Sequence, residues 1–152
     1  MRPHFGYSWT QENSPDELWD LHFYNGGPGH AQIETVRYRA LFAGNEDGTR
    51  SWIKIAELEQ LFESKNISQT DVDIFWLGRA PAIPQGNPRD GFRLGRFSIG
   101  ALTLIDTLDI EITATDSAGD MHRLIIRSMN RLPLTARKAI LAHRNSSDSL
   151  ST

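Results

Sequence analysis

The chain has 152 residues, 39% of them hydrophobic and 23% charged, with a formal net charge of -3. That length suits one domain, which buries roughly 70% of its unfolded surface, enough for a proper core. The absence of Cys excludes a disulfide framework, thiolate catalysis and Cys-ligated zinc, and no apolar run approaches the ~18 residues of a membrane span.

The charge is unevenly distributed. Residues 1–78 carry 6 Lys and Arg against 12 Asp and Glu, whereas residues 79–152 carry 10 against 7. The basic half falls far short of the dense footprint of a nucleic-acid binder, which argues against nucleic acid as a partner. Arg outnumbers Lys 13 to 3, a bias toward forked, stackable contacts with planar or carboxylate groups.

The first five residues lack the charged-then-apolar pattern of a secretory signal, so the chain as it stands reads as soluble. Phe5, Tyr7 and Trp9 alternate with small residues, the period of a strand with one buried face. After a turn-rich stretch, Leu18 to Tyr24 form a strong strand with Trp19, Leu21 and Phe23 opposite Asp20 and His22. Asn25, Gly26, Gly27, Pro28 and Gly29 end it abruptly, since glycines permit positive φ and proline removes a donor.

A long strand is expected over 31–42, with Ile33, Thr35, Arg37 and Arg39 on one face and Glu34, Val36, Tyr38 and Ala40 on the other. A turn over 45–48 closes it. The period then changes. Ile55, Leu58, Leu61 and Phe62 recur at three and four residues, predicting one amphipathic helix over 54–65 with Ser51 as N-cap and Asn66 as stop. Residues 73–78 read as a strand, and 79–91, with Pro81, Pro84 and Pro88, as an irregular loop. Residues 92–97 suit a short strand. An alternating run over 108–115 turns at Asp116 to Asp120 and returns over 121–128 as a hairpin. Behind Pro133 a short helix is expected over 134–143, followed by a solvated tail.

These elements predict a mainly β fold, an antiparallel β-sandwich of six or seven strands with one inserted amphipathic helix and a short C-terminal helix. Residues 1–144 would be a single domain and 145–152 a flexible tail.

The stretch Asn25-Gly26-Gly27-Pro28-Gly29-His30-Ala31, entered from a strand and leading into another, resembles the Asn-x-Gly-x-Gly-x-Ala signature of small bacterial immunoglobulin-like β-sandwich domains. Arg2-Pro3 before the first strand is similar to their usual opening, and the hairpin turning at Asp116 and Gly119 is similar to their late hairpin. His30 departs from the pattern, standing where Pro or a small residue is usual. The resemblance implies an extracytoplasmic or membrane-tethered accessory domain with no known chemistry, tethered if a hydrophobic segment precedes Arg2. On physical grounds the motif needs no ligand. Asn25 can bond the turn backbone, the glycines let the chain cross between sheets, and Ala31 is small enough to pack beneath the crossing. A phosphate cradle would need a following helix, and the next element is a strand.

The five histidines, His4, His22, His30, His122 and His143, show no metal-ligand spacing, and no Gly-x-Ser-x-Gly elbow exists. The pairs Asp71 and Asp73, or Asp109 and Glu111, read as the solvated side of a strand. No catalytic residue, metal or cofactor is assigned. The most suggestive group is Trp76 with Arg79, Arg89, Arg93 and Arg96 around the Pro-rich loop, a composition typical of binding hot spots. The leading reading is therefore a non-catalytic accessory domain that recognises a protein partner. The alternatives are a small metal-dependent hydrolase using His22, His30 or His122, and a self-assembling subunit that pairs exposed strand edges.

Overall fold

Alternating apolar residues build strands that bury one face each, and the chain distributes them over two antiparallel sheets. The computed structural model describes residues 5–11, 18–25, 30–44, 49–74, 82–83 and 92–150. In chain order they form β1 (Phe5–Gln11), β2 (Trp19–Asn25), β3 (Ala31–Phe42), α1 (Ile55–Ser64), β4 (Val72–Ile74) and β5 (Ala82–Ile83). These are followed by β6 (Phe92–Phe97), α2 (Ile99–Leu104), β7 (Ile105–Asp116), β8 (Met121–Arg127), a 3-10 turn (Ser128–Arg131) and α3 (Leu134–Leu150). The first sheet has the order β1-β2-β6-β4 and the second β5-β3-β7-β8.

The inner faces share one core. Trp19, Leu21 and Phe23 of β2, Phe97 of β6 and Val72 and Ile74 of β4 belong to the same buried cluster as Tyr38 and Ala40 of β3 and Leu108, Ile110 and Ile112 of β7. Side chains of the edge strand β1 lace the two sheets together. The Trp9 indole N–H donates to the buried Ser128 carbonyl at 2.8 Å, and the Tyr7 hydroxyl donates to the Arg127 carbonyl at 3.1 Å. The chain passes from the first sheet to the second between Asn25 and Ala31, both buried. Gly26, Gly27, Pro28 and Gly29 lie outside the described residues.

Two irregularities set which residues face out. In β3 the register jumps from Ile33 opposite Ala114 to Thr35 opposite Thr113, leaving Glu34 as the extra residue of a bulge. Simple alternation places Ile33 with Arg37; the bulge instead puts Ile33 on the core side with Tyr38 and Ala40 and leaves Arg37 and Arg39 outside. In β6 the register jumps from Gly95 opposite Leu21 to Arg93 opposite His22, so Leu94 is the extra residue. Leu94 and Phe97 are both buried, and Arg93 and Arg96, three residues apart, emerge on the same outer face.

The helices depart from expectation in three ways. Lys54, not Ser51, caps α1, because Tyr38 and Ile53 exchange backbone hydrogen bonds of 2.8 and 2.7 Å that hold residue 53 extended. The Lys54 amide donates to Glu57 Oε1 at 3.4 Å, and Asn66, as expected, stops the helix with φ 59° in the left-handed region. A second helix, α2, occupies residues to which the sequence pattern assigns no element, capped by Ser98, whose hydroxyl accepts from the Ala101 amide at 3.1 Å. The terminal helix is not short: α3 runs through Leu150, across most of the expected tail. Ala136 and Ile140 anchor its first turns in the core, and extending a formed helix costs little beside starting one.

The short strand β5 falls within the stretch read as an irregular loop, because pairing with Ala31 and Gln32 needs only two residues between prolines. Counting it, the described residues hold eight strands, seven of them three residues or longer.

A Cβ on Gly95 would sit 2.9 Å from the buried Phe97 ring and 3.2 Å from Ile74 Cδ1. Gly95→Ala should therefore destabilise the fold by about 1–3 kcal/mol through overpacking, seen as a lower urea midpoint at unchanged slope; an unchanged midpoint would mean the bulge can relax.

Candidate functional site

Each sheet carries an ion-pair network on its outer face. On the first sheet Asp20, only 6% exposed, is the hub. Arg96 grips it through Nε to Oδ1 at 2.9 Å and Nη2 to Oδ2 at 3.2 Å, and Arg93 approaches Oδ2 at 3.6 Å. These two arginines, expected to face a partner, are thus anchored to their own sheet. Trp76, Arg79 and Arg89 of the same expected patch lie outside the described residues.

Beside this hub, His22 Nε2 pairs with Thr10 Oγ1 at 3.0 Å, while its buried Nδ1 has no hydrogen-bond partner among the described residues. Burial, helped by the Arg93 charge and opposed by Asp20, lowers the His22 pKa below its ordinary 6.5. The imidazole is therefore neutral at pH 7.

The second sheet carries the larger network, centred on Glu111. Strand alternation places this residue on a solvated face, yet it is buried. The reason is its neighbours. Arg37 from β3 donates to Oε1 through Nε at 2.7 Å and through Nη2, and Arg123 from β8 donates to Oε2 through Nε at 2.6 Å. The Arg37 and Arg123 side chains remain 48% and 57% exposed while covering a carboxylate at 1%. Burial alone pushes the Glu111 pKa up, but the two guanidiniums outweigh it and hold the carboxyl below its ordinary 4.5.

Arg39 extends the same face. It donates to Asp109 at 2.9 Å and its guanidinium stacks 4.4 Å from the centre of the Trp52 ring. Arg127 stands opposite Asp109 in the ladder and is exposed. A sequence signal for this arrangement existed. Arg37 and Arg39 alternate on one predicted strand and Asp109 and Glu111 on another at the same spacing, which two antiparallel neighbours can match.

The other expected residues fall elsewhere. His122 Nε2 bonds Asp116 Oδ2 at 2.7 Å at the β7–β8 turn, where Asp116 also accepts amides of Ala118 and Asp120. These bonds, that from His122 above all, hold the Asp116 pKa below its ordinary 3.8. His30 is exposed. Among the described residues, no group of three or more His, Cys, Asp or Glu side chains is gathered to hold a metal ion, and no helix is long and apolar enough to cross a membrane.

A hollow of about 430 Å³ opens between α2, α3 and residues 66–71, and brings Asp71 and His143 near Ser98. Ser98, which does not line the hollow, is occupied in capping: its Oγ donates to Asp71 Oδ1 at 3.0 Å while accepting the Ala101 amide, and Ser68 holds the other Asp71 oxygen at 3.0 Å. Asp71 thereby ties the α1–β4 connection to the start of α2.

No protein-family model matches the sequence, and no curated protein matches it. A solved structure described as "X-ray structure of Northeast Structural Genomics Consortium target SoR45" aligns over 83% of this chain and 81% of that one, at 15% identity and a TM-score of 0.37.

The lowered pKa values fix how stability depends on pH. The unfolded chain takes up a proton on His22 below pH 6.5 that the folded chain resists, so stability first declines there. A second loss begins below 4.5 and continues below 3.8, where the unfolded chain protonates Glu111 and Asp116 before the folded chain does. Melting temperatures measured from pH 8 to 3 should show both stages. Glu111→Gln should flatten the second relative to the parent; an undiminished acid loss in that variant would show that Glu111 does not contribute to it.

Proposed function

We propose that this chain is a non-catalytic, immunoglobulin-like β-sandwich domain that recognises a protein partner, and that it does so through the arginine-bearing face of the second sheet. The observation that carries this reading is the burial of Glu111 beneath two half-exposed guanidiniums on an outer sheet face. A solvent-excluded carboxylate costs desolvation that a threonine at the same ladder position would avoid. What the carboxylate contributes is orientation: Arg37 and Arg123 are held with their exposed sides outward before any partner arrives.

Preorganised guanidiniums lose little side-chain entropy on binding and match carboxylates in a forked geometry. Arg39, stacked on Trp52 and tied to Asp109, and Arg127 extend the surface, so the partner best suited to it is an acidic patch on another protein. Arg and Trp are also the residues over-represented where interfaces concentrate their binding energy. The immunoglobulin-like assignment rests on the residues around Asn25 and Ala31 and on the two antiparallel sheets. Arg93 and Arg96 form a second cationic patch, and their ion pair with Asp20 makes them a structural comparison for the first.

Affinity capture from the source cells followed by salt elution tests the reading. An Arg39→Gln/Arg127→Gln variant leaves both Glu111 partners in place and should lose at least about tenfold of the captured protein, with an unchanged circular dichroism spectrum. Arg93→Gln should retain it. Equal capture by the parent and the double variant, or equal loss in Arg93→Gln, would overturn the assignment of this face.

A further inference from the structure

The strand β4 closes one edge of the first sheet, pairing with β6 on one side. Among the described residues no strand pairs with its other side. There a groove of about 830 Å³ separates it from α1, and all three β4 residues line it. The facing wall is a single stripe of the helix, Ala56, Glu59, Gln60 and Glu63, at the three- and four-residue spacing that puts residues on one side of a helix. Phe62 and Ile67 form an apolar floor, both buried.

The groove offers backbone as well as side chains. Ser98 donates its amide to the Asp71 carbonyl at 2.7 Å, which sets the phase of the β4–β6 ladder. By antiparallel alternation Asp73 turns its backbone groups to β6, and the Val72 carbonyl and Ile74 amide turn the other way, into the groove. The Val72 amide is already taken by the Ser68 carbonyl at 3.0 Å. The Val72 and Ile74 side chains are buried in the core, so what this edge presents is its hydrogen-bonding groups and the exposed Asp73.

The charge is of one sign. Among the described residues that line the groove, Glu59, Glu63 and Asp73 are the charged ones and none is basic. We propose that this groove is a peptide-binding site, in which an extended segment of a partner protein carrying Lys or Arg at alternate positions adds to β4 as a further strand. Main-chain bonds to the Val72 carbonyl and Ile74 amide hold the segment, and its basic side chains meet Glu59 and Glu63 on the helix wall and Asp73 on the strand. A strand has period two, so every second side chain of such a segment reaches the same wall. The site lies on a different sheet from the arginine face and selects the opposite charge, so either assignment can fail alone.

The test uses the full chain and a synthetic acetylated peptide of alternating Arg and Val, with an alternating Glu and Val peptide as comparison. Titration followed by amide NMR should shift the resonances of 72–74 and 56–63 with the basic peptide and leave them in place with the acidic one. Glu59→Gln/Glu63→Gln should weaken binding roughly fivefold or more, and added salt should weaken the parent complex in the same direction. N-methylation of the peptide at alternate backbone amides separates strand addition from charge attraction: one methylation phase should abolish binding and the other should spare it. Tolerance of both phases, equal binding of the acidic peptide, or no shift at 72–74 would overturn the proposal. So would sedimentation showing that a second copy of the chain occupies this edge and that Glu63→Arg releases it.

Discussion

A strand with one buried face can change phase only by spending an extra residue, and this constraint governs the molecule. Had β3 kept strict alternation from Ile33, Arg37 and Arg39 would point into the core and Tyr38 out of it. The bulge at Glu34 resolves the conflict, and Glu34 itself turns outward to accept the Thr115 hydroxyl at 3.0 Å. The bulge at Leu94 does the same for β6, burying Leu94 and delivering Arg93 and Arg96 to the same carboxylate. Both outward ion-pair networks therefore depend on a phase shift in their sheet, at Glu34 in one and at Leu94 in the other.

The two hubs, Asp20 and Glu111, are carboxylates excluded from water on faces that otherwise meet solvent. Such a group is tolerated only if its oxygens are satisfied, and the arginines satisfy them with short, forked contacts. They differ in what is left over. Around Asp20 the arginine side chains are 26% and 36% exposed and mainly close the face. Around Glu111 they are about half exposed, so the same pairing both neutralises the carboxylate and displays positive charge.

The helices decide where the sheet edges stay open. On one side β1 sends Tyr7 and Trp9 across to the carbonyls at the end of β8, which ties the sheets together. On the other side α1 packs its Leu58 and Phe62 into the core while holding its polar stripe across from β4, and Asp71 fixes the connection between them to Ser98. A cationic sheet face and an acidic groove thus coexist in a chain whose overall charge is only mildly negative. Their separation is made by the fold: the cationic face takes Arg37 and Arg39 from the first half of the chain and Arg123 and Arg127 from the second, while α1 and β4 supply the acids of the groove.

Local patterns in the sequence sufficed for what local forces control. The alternation of Trp19, Leu21 and Phe23, the β7–β8 hairpin and the period of α1 each depend on residues a few positions apart, and all appear as expected. Tertiary structure alone decided the phase shifts at Glu34 and Leu94, the cap at Lys54 in place of Ser51, and the burial of Glu111. Each of these turns on a partner distant in the chain: Ala114 and Thr113 for one bulge, Leu21 and His22 for the other, Tyr38 for the backbone at Ile53, and Arg37 for Glu111. Periodicity is written in neighbouring residues, whereas register and charge pairing are settled only when strands meet.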